Sequence, residues 1–293
     1  MNNKSISVIL NSFKRQNYLQ KQIDSVKKQS VPIKNIFIWN NGKYISPYQF
    51  TDDIVILNSS TNLGVWARFS FALNSDTEYI CMLDDDTIPG ELFFINCIET
   101  INKFPALLGT RGLRFLNAKF YEPYLSFGWD NPNERIEIVD IVGHAWFFKR
   151  EWLNYFWREM PLSNSSKIVG EDMHFSYMLQ KYAGIYTAVP PHPKNDKRLW
   201  GSNPDFAMKL GTDQSSISQG KEALKKFDKA LRFYTKRGFL LCKDNDKVIS
   251  EDFYLAPRLL RNNFLKKILF KFPFIKKYLI KIKNYLFNKN ITF

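Results

Sequence analysis

Residues 79–89 read YICMLDDDTIP, an apolar run of five residues that ends at three consecutive aspartates. A short apolar run closed by a polar turn is typical of a buried strand in a parallel sheet. Three adjacent carboxylates repel one another unless a cation lies near them. Because Mg²⁺ and Mn²⁺ commonly bridge protein carboxylates to substrate phosphates, the segment predicts a divalent-cation site at the carboxyl end of a strand. A solvated Asp-rich turn is the alternative interpretation.

Three further strand-like runs precede this segment, and polar residues follow the first two. The runs are 5–10 (SISVIL), 33–39 (IKNIFIW) and 54–57 (IVIL). Residues 17–29 and 63–73 have apolar residues at helical spacing. Strands that alternate with helices predict an α/β fold with a mostly parallel central sheet. Ligands bind beyond the carboxyl ends of such strands, so Asn11, Asn40 and Asp84 are expected to line one crevice.

The segments beyond Pro89 continue this pattern less regularly. Residues 92–103 and 172–182 are predicted helices, and 136–142 and 185–189 are predicted strands. Residues 109–129 are aromatic without a clear period, and we expect them to be irregular.

Changes in composition divide the chain into three parts. Residues 201–220 are rich in Gly, Ser, Asn and Asp, which indicates a loop or linker, and 222–237 have the pattern of an exposed helix. We therefore predict an α/β domain over residues 1–215, a helical extension over 216–257 and a basic amphipathic tail over 258–293.

The basic residues are concentrated in that tail. Ten of the 42 lysines and arginines follow Asp252 and no acidic residue does, which leaves 32 basic and 28 acidic residues in the rest of the chain. A nucleic-acid-binding protein would spread its positive charge over the folded surface, so nucleic acid is not an expected partner. Apolar residues of the tail share one helical face opposite the lysines, as in helices that lie on an anionic membrane surface. A helix packed on the main body or on a second subunit is the alternative.

The cysteines and the N-terminal residues favour a cytoplasmic protein associated peripherally with the inner face of the cell membrane. The three cysteines have no paired spacing, which indicates a reducing compartment. The first residues do not resemble a signal peptide, and no apolar stretch is long enough to span a bilayer.

Four motifs in order resemble those of a GT-A-fold glycosyltransferase. They are SVILNSFKRQNYLQKQIDSVKKQS (7–30), IFIWNNGK (36–43), TNLGVWARFSFALN (61–74) and LDDDT (83–87). The resemblance covers about residues 5–200 and is to the large family-2 group and to the exostosin-like domain. It implies a Rossmann-like, mostly parallel sheet with a C-terminal helical extension, and a nucleotide-sugar donor.

The resemblance also implies roles for individual residues. Those expected to hold the donor nucleotide are Asn11, Phe13, Arg15, Asn40 and Asn41 at the base, and Asn62 and Arg68 at the ribose and diphosphate. Asp84 is expected to meet ribose or sugar hydroxyls. Asp86 is expected to ligate Mn²⁺ or Mg²⁺, with Asp85 nearby.

A second acidic motif, Glu171-Asp172, resembles the pair that precedes a helix under the acceptor site. In inverting enzymes of this fold the Asp removes the proton from the acceptor hydroxyl, and Asp172 is the predicted base. A helix N-cap without a catalytic role is the alternative. His192, between prolines, resembles a histidine that completes the metal shell; a turn histidine without a role is its alternative.

Two further residues complete the predicted site. His144 lies where related enzymes place a small-residue loop against the sugar and acceptor. Arg198 belongs to a basic segment that resembles a loop closing over the diphosphate, and a solvated basic loop is the alternative.

The resulting expectation is a metal-dependent glycosyltransferase that uses a nucleotide sugar, expected to be UDP-linked, and a glycan or lipid-linked acceptor. The predicted context is the assembly of a bacterial surface polysaccharide such as lipopolysaccharide or capsule. Inversion is favoured by the Glu-Asp pair, whereas WNN and DDDT are shared with the retaining exostosin-like domain. Two competing hypotheses stay open at this point: a sugar-nucleotidyltransferase and a non-catalytic membrane-surface adaptor.

Overall fold

The computed structural model describes residues 5–13, 15–42, 54–161, 169–203 and 221–245. All of these residues belong to one compact unit, Met1–Asn245. The predicted tail, 258–293, and both predicted domain boundaries lie outside the described residues.

The described elements alternate between strands and helices along the first half of the chain, as expected. The strands are β1 (Ile6–Ser12), β2 (Ile33–Asn41), β3 (Ile54–Ser59), β4 (Tyr79–Leu83), β5 (Ala106–Leu108), β6 (Arg111–Phe115), β7 (Tyr124–Gly128), β8 (Glu137–Val139), β9 (Ile141–Gly143), β10 (Ala145–Lys149) and β11 (Tyr186–Val189). The α-helices are α1 (Leu19–Lys27), α2 (Ala67–Phe71), α3 (Phe93–Lys103), α4 (Leu153–Phe156), α5 (Glu171–Ala183) and α6 (Lys221–Lys236).

Eight strands form the central sheet in the order β3-β2-β1-β4-β10-β5-β11-β8. The four strands from β3 to β4 are parallel, whereas β10 runs antiparallel to both of its neighbours. All five side chains of β4 are buried, as its apolar sequence predicts. The mixed α/β fold with a mostly parallel sheet is therefore confirmed, and β1, β2 and β4 end at one edge of it.

A second, antiparallel sheet of order β7-β6-β9 lies beside the first. The prediction that residues 109–129 are irregular was wrong, because β6 and β7 pair there over five residues each. The predicted strand 136–142 is divided between the sheets at Asp140. The buried Asp140 carboxylate accepts hydrogen bonds from the backbone N–H groups of Phe115 and Cys242, at 2.6 Å each, and so separates β8 from β9.

Helix α6 shares a hydrophobic cluster with the second sheet and with α5. The buried members of the cluster are Leu113, Phe115, Ile141, Met173, Tyr177, Met178, Ala230, Leu231, Tyr234, Phe239 and Leu241. The Asp228 side chain also accepts a hydrogen bond from the backbone N–H of Tyr121, at 2.6 Å. The described part of the predicted extension is thus built into the same core as the α/β fold.

Within the described ranges, no helix has the length and apolar character needed to cross a bilayer.

Candidate active site

A cavity of about 550 Å³ opens at the carboxyl ends of β1, β2 and β4, a size that is typical of small-molecule sites. Elements β6, β9, α5 and α6 supply its other side. Twelve of the predicted site residues line it: Asn11, Phe13, Arg15, Asn41, Asn62, Arg68, Asp84, Asp85, Asp86, His144, Glu171 and Asp172. The fold therefore brings the aspartate triplet and the Glu171-Asp172 pair, which are far apart in sequence, to one cavity.

The aspartate triplet forms a tight turn directly after β4. The backbone N–H of Thr87 donates to the carbonyl of Asp84, at 3.1 Å. From α1, the buried Gln22 donates its side-chain amide to the carbonyl oxygens of Asp84 and Thr87, at 2.6 and 2.9 Å. Gln22 thus fixes the turn from behind, a positioning role that the sequence pattern did not indicate.

His144 is held against this turn in a left-handed backbone conformation, with φ of 63°. Its carbonyl oxygen accepts hydrogen bonds from the Asp84 N–H and the Thr87 hydroxyl, at 2.9 and 2.8 Å. Its Nδ1 lies 3.2 Å from an oxygen of Asp86. One potential ligand atom from each of Asp84, Asp86 and His144 lies within 4.8 Å of the others. A strained backbone that is held by its surroundings is characteristic of functional sites.

Two arginines compensate the charge of the triplet. Arg15 contacts Asp85 at 2.7 Å and Asp86 at 3.4 Å. The buried Arg68 makes a short ion pair with Asp84 and a second with Glu171 at 3.0 Å, and its guanidinium lies 4.3 Å from the ring centroid of Trp146. Arg68 therefore connects the triplet to the second acidic motif.

Burial and neighbouring charges move the pKa values of Asp85, Asp86 and His144 from their ordinary values. Burial raises the pKa of Asp85 to about 6, against the opposing effect of Arg15. Burial also acts to raise the pKa of Asp86, but His144 and Arg15 outweigh it and the pKa is lowered. For His144 burial acts to lower the pKa, and the attraction of Asp86 and Asp84 raises it instead. The turn thus has a strong preference for positive charge.

Glu171 and Asp172 begin helix α5, after Gly170, whose φ of 99° a residue with a side chain rarely adopts. Burial, and then the repulsion of Asp172, raises the pKa of Glu171 to about 8. Burial raises the pKa of Asp172 to about 6, opposed by a hydrogen bond of 2.7 Å from the Met173 N–H. The pKa of Glu171 is thus raised further than that of Asp172, and Asp172 is the carboxyl that loses its proton first as the pH rises.

Asn41 and Asn62 form a small amide network at the end of β2. Asn41 Nδ2 donates to Asn62 Oδ1 at 2.9 Å, and Asn41 Oδ1 accepts from the Leu63 N–H at 2.7 Å. Asn40 is buried, is not among the lining residues, and donates to Asn58 of β3 at 2.5 Å. Asn40 therefore supports the sheet behind the cavity.

The structure does not bring His192 or Arg198 to the cavity lining. The buried His192 ring lies 2.8 Å from the carbonyl of Pro190 through Nδ1, and its Nε2 accepts from the Gly201 N–H at 3.1 Å. With one nitrogen donating and the lone pair of the other engaged, this ring offers no ligand to a metal. The Arg198 side chain pairs with Asp196 at 2.8 Å on the surface, as in the solvated-loop alternative.

Several lining residues were not predicted as site residues. Arg111, Tyr121 and Phe227 line the side formed by β6, the β6–β7 loop and α6. Their segments carry no motif, and Phe227 belongs to the predicted extension. Trp146 also lines the cavity, and the Arg68 guanidinium lies over its ring.

A mostly parallel sheet that delivers an aspartate triplet to a cavity, opposite an acidic pair on a helix, defines a glycosyltransferase of the GT-A class. The profile of the family described as Glycosyl transferase family 2 matches residues 7–157, more than half of the chain. The chain therefore belongs to glycosyltransferase family 2. The match ends before α5 and α6, so Asp172 and Phe227 lie outside it.

Three solved structures of Staphylococcus aureus TarS are similar to this chain, each at 12% identity. TarS itself has a TM-score of 0.43, with 64% of this chain and 36% of that chain covered. TarS 1-349 in complex with UDP has a TM-score of 0.44, with 64% of this chain and 58% of that chain covered. TarS 1-349 has a TM-score of 0.42, with 80% of this chain and 73% of that chain covered. The chain thus spans about a third of the length of the first of these. No curated protein sequence matches the chain.

Proposed function

We propose that this glycosyltransferase is metal-dependent and moves a sugar from a nucleoside-diphosphate donor to an acceptor hydroxyl, with inversion at the anomeric carbon. One observation carries the proposal: Asp84–Asp86 and Asp172 line the same cavity, which also contains Asn11, Asn41 and Arg68. The cavity thus has acidic groups for a cation at the diphosphate and a separate carboxylate for the acceptor.

The proposed ligands of Mn²⁺ or Mg²⁺ are Asp84, Asp86 and His144. Carboxylate oxygens suit both ions and imidazole suits Mn²⁺, and the potential ligand atoms are close enough to share one ion. His144 takes the place predicted for His192, whose ring nitrogens are engaged elsewhere. The cation would neutralise charge that develops on the departing nucleoside diphosphate.

The remaining residues of this side would bind and orient the donor. Asn41 and Asn62, at the carboxyl end of β2 and in the loop after β3, offer amide groups to the base and ribose. Arg15 and Arg68 are charged donors suited to phosphate oxygens. Arg68 also holds Glu171 in place, so the donor and base residues are positioned together.

Asp172 is the proposed base. As the acceptor oxygen attacks the anomeric carbon, its proton passes to the Asp172 carboxylate and a new C–O bond forms. The bond from the anomeric carbon to the phosphate oxygen breaks on the opposite face, and the nucleoside diphosphate leaves with the electron pair. A raised pKa that still leaves Asp172 ionised near neutral pH suits this proton transfer.

The biological setting is proposed from the sequence: a UDP-sugar donor, and a glycan or glycolipid acceptor in bacterial surface-polysaccharide synthesis. The basic, amphipathic sequence of residues 258–293 would associate peripherally with anionic lipid. Co-sedimentation of the full chain, and of a chain ending at residue 257, with phosphatidylglycerol-containing vesicles tests that association. Equal binding of the two chains would contradict it.

The central test is a thermal-shift panel of nucleoside diphosphates with and without Mn²⁺. We expect one diphosphate to raise the melting temperature only when Mn²⁺ is present, and Asp86→Asn to abolish that shift. Asp76→Asn is the matched control, because Asp76 lies on the surface paired with Lys34. A shift that Asp86→Asn leaves intact, or the absence of any shift in the unaltered chain, would contradict the proposal.

Inversion is tested separately by following the anomeric proton coupling of the product by NMR as it forms. A product with the configuration of the donor would overturn the assignment of Asp172 as base and favour a retaining reaction.

A further inference from the structure

An aromatic wall, formed by Tyr121 and Phe227, bounds the cavity on the side away from the amide network. Tyr121 lies in the β6–β7 loop and Phe227 on α6, and both are half-buried and line the cavity. Their ring centroids are 4.7 Å apart, at an interplanar angle of 31°. The hydrogen bond from the Tyr121 N–H to Asp228 joins the loop to the helix beside this ring pair. The wall is therefore a fixed feature of the fold.

The wall lies near the predicted base. The pKa of Tyr121 is raised first by its burial and then by the negative charge of Asp172, while Arg111 opposes the shift. All three residues line the cavity, as does Trp146. A group seated on the aromatic wall would thus share one cavity with Asp172, the residue proposed to deprotonate the acceptor.

The groups around the wall match one class of ligand. A pyranose ring presents C–H bonds on its faces and hydroxyl groups at its edge, so it needs an aromatic surface bordered by polar groups. Arg111, which contacts Asp130 at 2.8 Å and the Tyr124 hydroxyl at 3.2 Å, supplies a fixed polar group at this edge. An acyl chain in the same place would bury Arg111 and Asp172 without offering them hydrogen bonds, which is costly.

We infer that Tyr121 and Phe227 form an acceptor subsite that seats a pyranose ring of the acceptor beside Asp172. The inference rests on the proposed function and deepens it, since it assigns an acceptor class to Tyr121 and Phe227, which belong to none of the motifs that resemble the family. Phe227 lies outside the matched residues 7–157. Acceptor specificity would therefore be encoded in part by the helical extension.

Saturation-transfer NMR with a panel of methyl pyranosides, in the presence of UDP and Mn²⁺, tests the inference on the full chain. We expect at least one pyranoside to receive saturation, and Phe227→Ala to weaken its binding by on the order of tenfold. Phe227→Leu, which keeps an apolar side chain and removes the ring, should weaken it as well. Phe233→Ala is the matched control, because Phe233 is half-buried on the same helix but is not among the lining residues.

The outcomes separate this inference from the function beneath it. Calorimetry of UDP with Mn²⁺ should give the same affinity for the unaltered chain and the Phe227 variants. If the nucleotide binds but no pyranoside does, or if Phe227→Ala and Phe227→Leu bind the pyranoside as well as the unaltered chain, the subsite is refuted. Binding of a polyprenyl phosphate but of no pyranoside would refute it in favour of a lipid contact. If no nucleoside diphosphate binds the unaltered chain, the proposed function itself fails.

Discussion

The two sides of the cavity are built in different ways. The side proposed for the donor is built around the carboxyl ends of β1, β2 and β4, which belong to one parallel sheet. Asn62 after β3, Arg68 on α2 and His144 before β10 complete it. The side proposed for the acceptor joins β6, the β6–β7 loop, α5 and α6. There the contact between Tyr121 and Asp228 spans 107 residues of sequence.

The donor side is therefore tied to the residues that form the sheet, whereas the acceptor side can differ between proteins that share the sheet. Short turns on adjacent parallel strands keep their relative places in any sequence that forms the sheet. A wall made by packing a loop on a helix can change residue by residue while the sheet is retained. We therefore expect changes on the donor side to affect nucleotide and metal binding, and changes on the acceptor side to affect acceptor binding and transfer while nucleotide affinity is kept.

Replacing Asp172 should give the largest effect. We expect Asp172→Asn to lower kcat by about 10² to 10⁴-fold, because an amide does not accept the acceptor's proton. Nucleotide affinity, measured by calorimetry with UDP and Mn²⁺, should remain unchanged, since the donor side is intact. A loss of nucleotide affinity equal to the loss of kcat would show that the two sides do not act separately.

His144 tests the metal arrangement on the donor side. Replacing it with Asn, a residue that tolerates the left-handed backbone, should lower Mn²⁺ affinity by roughly 10 to 100-fold while the chain stays folded. Electron paramagnetic resonance of Mn²⁺ measures the affinity and detects hyperfine coupling to an imidazole nitrogen. That coupling should be present in the unaltered chain and absent from the variant.

His192 provides the contrast. Because its ring is buried and bonded to Pro190 and Gly201, His192→Gln should lower the melting temperature and leave the Mn²⁺ affinity and the nitrogen coupling as they were. If His192→Gln removed the coupling and His144→Asn did not, the ligand assignment would be reversed.

Gln22 tests how firmly the aspartate turn is held. Gln22→Leu leaves the carbonyl oxygens of Asp84 and Thr87 without their side-chain donor, so we expect the free energy of unfolding to fall by about 2 kcal/mol. Lys34→Met removes the exposed ion pair with Asp76, which water and salt screen, and should lower the free energy of unfolding less than Gln22→Leu does. Denaturant unfolding of both variants measures the difference, and equal losses would argue against a supporting role for Gln22.

The same contrast explains how much the sequence could predict. β4 and the aspartates after it could be predicted because the apolar run and the polar turn are adjacent in the chain. The motifs that resemble known enzymes are likewise continuous stretches of sequence. The role of Asp172 was predicted by resemblance, and the structure places the residue in the cavity lining, although the family match ends before it. Tyr121 and Phe227 carry no local signal, since each becomes a cavity residue only when α6 packs against the second sheet.

The differences between the sequence predictions and the structure have the same origin. His192 has the residue type and the position that suggest a ligand, but its hydrogen bonds to Pro190 and Gly201 depend on contacts invisible in the sequence. The hairpin of β6 and β7 was missed because both of its strands are short and rich in aromatic or charged residues that lack a clean alternation. In the structure β6 pairs along both of its edges, with β7 and with β9.

The smallest expected effect is a pH dependence that belongs to the acceptor side. Burial raises the pKa of Asp172 to about 6, so the base becomes protonated as the pH falls through that value. kcat/KM, which reports the free enzyme, should then fall by about tenfold per pH unit below pH 6 and be level above it. The residual rate of Asp172→Asn should lack this acid-side decrease, whereas Asp85→Asn, which removes the donor-side carboxyl whose pKa is also about 6, should retain it. If the decrease in kcat/KM below pH 6 persists in Asp172→Asn, the titrating group is another residue. If UDP affinity decreases equally over the same pH range, the titrating group lies on the donor side.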